Sequence, residues 1–348
     1  MEKKKVLVLF GGMSTEHEVS RVSVSSVLHN MNKDKYEIGV IGIDKDGKFL
    51  EYTGEYSNIP DNNWKNYTRE IKDVISHIKQ YDVAFPVLHG LYGEDGTIQG
   101  LFELLNLPYV GCKVLASSVA MDKVYTKIVL DKAEIKQTPS VYVKVEYDKL
   151  ILVTDNFEEI KEENRILEYI ESKLGYPLFI KPSNSGSSVG VCKAKNREEL
   201  VLGINEAKKY DRKLLIEKGI NCREIECAVL EQDGDIKASI LGEILPAGEF
   251  YSYESKYEDE NSGALIPAPI DETTSDFIRN TAIKAFKAID GAGLSRVDFF
   301  VDKDTGNIYL NEINTLPGFT SISMYPKLWG KTGIPYSELI DVLINNAK

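Results

Sequence analysis

The sequence predicts a mixed α/β (α+β) chain of three packed units, the first built on a parallel sheet. Its 348 residues leave room for two or three such units. In the first third, short apolar runs alternate with helical patterns: KVLVLFGG, EHEVSRVSVSSVLHNM, YEIGVIGID, IKDVISHIKQY, then VAFPVLHG. That alternation is the pattern of parallel strands joined through covering helices. From about residue 217 the texture changes to longer strands, REIECAVLEQ and IKASILGEIL, which mark a separate unit.

In an open parallel sheet, ligands sit beyond the carboxyl ends of the strands. Gly11, Gly12, Ser14 and Thr15 fall there, as does His89. A helical stretch at 114–133 leads into a small α+β unit: VYVKV, a charged insert, a helix, PLFIKPS, VGVCKAK, a second helix and LLIEKGI. After the two long strands comes the loop 246–268, whose length suggests a lid or binding loop. The remainder reads as helix DFIRNTAIKAFKAID, strands SRVDFFVD and NIYLNEIN, the turn LPGFT and the amphipathic helix YSELIDVLINN. No repeat of fixed period and no low-complexity tract interrupts this order.

The bulk composition narrows the function. A net charge of −12 disfavours nucleic acid as a partner. The longest apolar runs stop well short of the roughly 20 residues a membrane helix needs, and no apolar export segment follows MEKKK, so a cytoplasmic location is expected. The four cysteines form no C-x-x-C pair and are expected to be reduced packing residues. The four histidines are scattered, so any metal should be bound through oxygen.

Three segments can carry chemistry. KPSNSGSSVG at 181–190 follows an apolar strand and combines one lysine with glycines and hydroxyls, a turn able to aim backbone N–H groups at phosphate. It lacks the G-x-x-x-x-G-K-[ST] pattern, and taken alone it reads better as a solvated serine-glycine hairpin. IEKGINCRE at 216–224 spaces Glu217, Lys218 and Glu224 for a purine edge and a ribose diol, or simply for a charged strand exit. The strongest is RVDFF at 296–300 followed by NEIN at 311–314. Alternate residues of a strand share a face, so Arg296 with Asp298, and Glu312 with Asn314, project together. On adjacent antiparallel strands they converge into the hard-oxygen set that magnesium takes alongside phosphate and water.

These segments, with GGMSTEHEVS at 11–20, HGLYGEDGTIQG at 89–100, MDK at 121–123, FYSYESKY at 250–257 and NEINTLPGFTSISMYP at 311–326, resemble the D-alanine–D-alanine ligases of the ATP-grasp superfamily. The resemblance spans nearly the whole chain in the right order. It implies a three-domain ATP-grasp fold: a Rossmann-like domain at 1–112, a small central domain at 113–216, and a C-terminal domain at 217–348 bearing the lid 246–268. ATP would lie between the last two.

The same resemblance implies roles. Lys123, Lys181 and Lys256 would hold phosphates; Glu217, Lys218, Ile220 and Phe250 would surround adenine; Glu224 would meet ribose. Asp298, Glu312 and Asn314 would bind two magnesium ions, with manganese an alternative and a monovalent cation left open. Glu16, Ser187 and Tyr257 would form a hydrogen-bonded group under the lid, and His89, Arg296, Gly318, Ser323 and Met324 would meet the D-alanines. The implied reaction joins two D-alanines through a D-alanyl phosphate for peptidoglycan precursor synthesis, in a homodimer. Arg296 and the Gly318 N–H would form the oxyanion site. The base for the second amine stays open among His89, the Tyr257–Ser187 group and solvent.

Two positions depart from common members: Ser252 stands where many carry an acid, and Ile322 where some carry histidine. The nearest alternatives are D-alanine–D-serine and D-alanine–D-lactate ligases on the same scaffold. Met324, where serine-using relatives tend to carry arginine, and the Lys256–Tyr257 pair both favour D-alanine. A dinucleotide-dependent oxidoreductase is the remote alternative, but KVLVLFGG lacks G-x-G-x-x-G. A nucleotide-sensing module without chemistry would not need the metal set.

Overall fold

The structure is a computed structural model that describes residues 2–245 and 263–347. Phe250, Ser252, Lys256 and Tyr257, and most of the proposed lid, lie outside the described residues.

The first sheet is built from β1 (Lys4–Gly11), β2 (Tyr36–Ile43), β3 (Phe49–Tyr52), β4 (Thr68–Glu70) and β5 (Val83–Leu88), in the order β4-β3-β2-β1-β5. β1 pairs in parallel with β2 and β5, as the alternating pattern predicts. Both faces of β1 are buried, Val6, Val8 and Phe10 into one core and Leu7 and Leu9 into another, which is why this strand reads as an unbroken apolar run. β3 and β4 extend this sheet antiparallel, a feature the helix-and-strand reading passed over. The reversal is made by Asp44, whose carboxylate accepts from the N–H groups of Asp46 and Lys48, and by Gly47 at φ 81°.

The second sheet holds β6 (Ser140–Glu146), β7 (Lys149–Val153), β8 (Glu159–Ile160), β9 (Leu178–Pro182), β10 (Cys192–Ala194) and β11 (Lys213–Lys218), in the order β10-β9-β11-β6-β7-β8. The charged insert after VYVKV is thus a pair of strands, β7 and β8. The helices Glu163–Leu174 and Arg197–Ala207 pack Ile166, Ile170, Leu200 and Ile204 onto one face. The alternation of β9 and β11 decides the other face. Leu178, Ile180, Leu214 and Ile216 enter the core, so Phe179, Lys181, Leu215 and Glu217 point the opposite way.

The third sheet comprises β12 (Cys222–Gln232), β13 (Asp235–Leu245), β14 (Gly263–Leu265), β15 (Leu294–Asp302) and β16 (Ile308–Asn314), in the order β14-β13-β12-β15-β16. The helix Glu272–Ala288 packs Ile278, Ala282 and Phe286 against Ile225, Cys227, Val297 and Phe299. The predicted helical stretch 114–133 is two helices, Val114–Met121 and Lys123–Lys132. Asp122 breaks it: its extended backbone and its carboxylate, which accepts from the N–H groups of Val124 and Tyr125, make it an N-cap. The terminal helices Met324–Thr332 and Tyr336–Asn345 join a single core with β1, β5, β12 and β13. That core ties the first sheet to the third.

All four cysteines are free, with Cys112 and Cys227 buried. Among the described residues no helix is long and apolar enough to cross a membrane.

Candidate active site

Two adjoining cavities, of about 470 Å³ and about 660 Å³, lie between the polar faces of the second and third sheets and the carboxyl end of the first. They share Lys123, Lys181, Glu217, Arg296 and Glu312 as lining. Every described residue to which the resemblance gives a role lines one or both, whereas Gly11, Gly12, Ser14 and Thr15, placed at the end of β1 by the sequence, line neither.

The larger cavity is framed by the end of β11 and the start of β12. Lys218, Ile220 and Glu224 line it, with Phe179 and Phe300 as apolar walls. Lys181 and Glu217, brought to this face by strand alternation, form a buried ion pair at 2.5 Å, and Lys127 holds the second oxygen of Glu217 at 2.8 Å. Burial alone would raise the Glu217 carboxyl, but the two ammonium groups hold it down at about 2. Lys181 stays above the ordinary lysine range: burial opposes its charge, and Glu217, with Glu312 and Glu224 further off, outweighs that. Lys127 escaped the sequence reading, although it lies one helical turn after Lys123.

The junction is built on register. In β15 and β16, Arg296 stands opposite Asn314 and Asp298 opposite Glu312, the convergence expected from RVDFF and NEIN. Arg296 grips Asp298 with two hydrogen bonds of 2.8 and 2.7 Å, and Asn314 donates to the same carboxylate at 3.0 Å. Glu226 of β12, directly across from Asp298, adds an ion pair to Arg296 at 3.1 Å. The sequence did not reveal it, because its place depends on which strand lies beside β15. Burial works against the charge on Arg296, yet Asp298 and Glu226 drive its proton affinity further upward.

As a donor set these residues suit magnesium. Two carboxylates and an amide oxygen are hard, few and beside a lysine-lined cavity, leaving coordination positions for phosphate and water. Among the described residues no group of three or more His, Cys, Asp or Glu side chains forms a self-sufficient metal cage.

Lys123 opens its helix beside the serine-glycine turn. Its backbone N–H donates to Ser183 O at 3.0 Å and its ammonium to Ser185 O at 2.6 Å. Ser183 donates to Asp122 at 2.5 Å, and Lys213 pairs with the same carboxylate, so the turn and the helix start are clamped together.

The smaller cavity continues to the first sheet. Glu16 is buried, and its carboxylate accepts a hydrogen bond from Ser187. A side-chain carbon at Gly186 or Gly90 would crowd that carboxylate, and Gly90, at φ 72°, also holds a backbone conformation that favours glycine. Ser187 itself sits in the left-handed region at φ 48°. His89, at the end of β5, directs Nδ1 to Leu316 O at 3.1 Å and lies 3.6 Å from Glu94, while Nε2 meets Ser23 Oγ at 3.0 Å. Burial disfavours the His89 cation, but Glu94, then Glu16 and the Leu316 carbonyl, shift its pKa upward. Glu94 is raised as well, by burial first and by Glu16, against the pull of His89. His89 thus braces the turn 315–320 from beneath. Glu94 and Ser23 were not anticipated; the spacing of Glu94 within HGLYGEDG was the available signal.

On that turn, Ser323 Oγ accepts from Thr320 N at 3.0 Å, and a carbon added at Gly318 would come within 2.7 Å of Ser323 Oγ. Close packing against Ser323 therefore favours glycine at position 318. Met324 is buried with its thioether end against Gly242 of β13, and Ile322 lines the cavity from an exposed position.

Family profiles match this chain in two parts: the D-ala D-ala ligase N-terminus over residues 5–112 and the D-ala D-ala ligase C-terminus over residues 144–345. The D-alanine–D-alanine ligase of Clostridium acetobutylicum is 55% identical over 348 residues, covering 99% of this chain and 98% of its own length. That of Acetivibrio thermocellus is 50% identical over 373 residues, covering 99% and 96%. Among solved structures, the VanG D-Ala:D-Ser ligase from Enterococcus faecalis aligns with a TM-score of 0.85 at 37% identity, over 99% of both chains. The D-alanine-D-alanine ligase from Coxiella burnetii aligns at 0.82 and 36%, over 99% of this chain and 94% of that one.

Proposed function

The chain belongs to the D-alanine–D-alanine ligase family, with an ATP-grasp fold, and from that premise we propose how its two cavities divide the work of joining two D-alanines at the expense of ATP. The observation that carries this division is their shared lining. A nucleotide cavity and an amino-acid cavity meet where Lys123, Lys181, Arg296 and Glu312 gather, the place where phosphoryl transfer needs its charge neutralised.

Adenine occupies the larger cavity between Phe179 and the third sheet, with Glu217, Lys218 and Ile220 around its edge and Glu224 toward the ribose. Lys123 and Lys181 take the phosphates. Asp298, Glu312 and Asn314 would hold two magnesium ions, which neutralise phosphate charge when bound. The first D-alanine lies in the smaller cavity with its ammonium toward Glu16. Its carboxylate oxygen attacks the terminal phosphorus, the bond to ADP breaks, and D-alanyl phosphate results. The amine of the second D-alanine then attacks the acyl carbon, a proton leaves that nitrogen, and the C–O bond to phosphate breaks. Arg296 and the Gly318 N–H stabilise the oxyanion formed between those events. A homodimer in the cytoplasm, supplying the dipeptide for peptidoglycan precursors, completes the proposal.

The scaffold is shared with a D-Ala:D-Ser ligase, so the second substrate needs its own argument. Met324 presents a buried thioether, which gives a serine hydroxyl no partner. An apolar wall rejects an added hydroxyl only modestly, by roughly a hundredfold at most. The expected result with ATP, magnesium and equal D-alanine and D-serine is mainly D-alanyl-D-alanine with a minor mixed dipeptide, read by mass spectrometry; D-lactate should give no product near neutral pH. Predominance of D-alanyl-D-serine would overturn the assignment, and absence of any dipeptide would overturn the division of the cavities.

A further inference from the structure

We propose that Lys127 sets the nucleotide specificity of this site, by holding the Glu217 carboxylate as a fixed, ionised acceptor that admits a 6-aminopurine and rejects a 6-oxopurine. The proposal rests on the reading that Glu217 faces the purine edge.

The carboxylate is 4% exposed and is shared by two lysines that differ in their ties. Lys181 reaches it from β9 at 2.5 Å, but it also feels Glu312 and Glu224 across the cavity and is the ammonium assigned to phosphate. Lys127 reaches it from the helix Lys123–Lys132 at 2.8 Å, is 13% exposed, and donates at 2.9 Å to Thr138 O, just before β6. A triphosphate that draws Lys181 away leaves Lys127 as the standing counter-charge. These two ammonium groups are what offsets the burial of Glu217.

An ionised carboxylate offers lone pairs and no proton. The 6-amino group of adenine donates to it, whereas a 6-oxo group sets acceptor against acceptor and leaves both unpaired in a dry site. A mobile carboxylate escapes this by sliding to the N1–H of hypoxanthine, and one that has taken up a proton escapes it by donating to O6. The Thr138–Lys127–Glu217 chain blocks both routes. Such mismatches support discrimination of several orders, more than shape alone provides.

The test compares dissociation constants of ADP and IDP by calorimetry, which needs no turnover, in the parent protein and in Lys127→Met, Lys127→Arg and Glu217→Gln. The expected outcome is a preference for ADP that falls at least tenfold in Lys127→Met, survives in Lys127→Arg, and also falls in Glu217→Gln, whose amide can donate. If Lys127→Met does not fold, Lys127→Gln, which keeps a donor but no charge, gives the same readout. An unchanged ratio in the uncharged variants, with relaxation in Glu217→Gln, overturns the role of Lys127. An unchanged ratio in Glu217→Gln overturns the purine-edge reading itself.

Discussion

Replacement of Glu312 by glutamine is expected to lower kcat by about two to four orders of magnitude while leaving the melting temperature near that of the parent, since metal-assisted charge neutralisation contributes several kcal/mol and each 1.36 kcal/mol is tenfold in rate. Glu312 lies opposite Asp298 in the β15–β16 ladder, lines both cavities, and is half-buried, with its negative charge acting on Lys181. Glutamine keeps shape and hydrogen bonding but removes the negative oxygen that a hard cation prefers. Apolar packing is untouched, because the strand neighbours Leu310 and Ile313 enter the core on the other side. Activity close to the parent in a folded Glu312→Gln variant would remove Glu312 from the metal site.

The second large effect is expected at Arg296→Lys, with kcat reduced by roughly 10²–10³, the range for loss of one oxyanion donor. The parent guanidinium binds Asp298 through two nitrogens and reaches Glu226 through the same edge, so its plane is fixed before substrate arrives. A lysine keeps one positive charge between the two carboxylates but cannot form the fork, and its flexible ammonium is drawn to either acid. The charge keeps those acids from being stranded, so the variant should fold; Arg296→Met would strand them and confuse stability with catalysis. Stopped-flow kinetics beside a thermal melt separates the two effects. A turnover within about threefold of the parent would exclude Arg296 from the oxyanion site.

The parts of this molecule legible in its sequence are those governed by local period. The alternation of PLFIKP and LLIEK separates Lys181 and Glu217 from the apolar positions of their own strands, and the pairing of β9 with β11 then brings them to one face. RVDFF and NEIN likewise put Arg296, Asp298, Glu312 and Asn314 on one side of a ladder. What stayed hidden depends on lateral neighbours. Glu226 matters because β12, and not another strand, lies beside β15, and REIECAVLEQ contains nothing that fixes this choice. Lys127 reads as an exposed helix residue until β11 is seen to lie alongside its helix. The break at Asp122 was missed for the opposite reason: the apolar period runs through it, while the capping carboxylate that ends one helix and begins the next is a short-range effect.

The most direct test of the account follows atoms through the reaction. D-alanine carrying a heavy oxygen isotope in its carboxylate is incubated with the protein, ATP and magnesium, and the products are resolved by mass spectrometry. Attack of that carboxylate on the terminal phosphorus, followed by cleavage of the acyl C–O bond, moves one labelled oxygen into inorganic phosphate for each dipeptide formed, with ADP unlabelled. Label in AMP, or dipeptide formed with unlabelled phosphate, would contradict the acyl phosphate and with it the assignment of the junction between the two cavities.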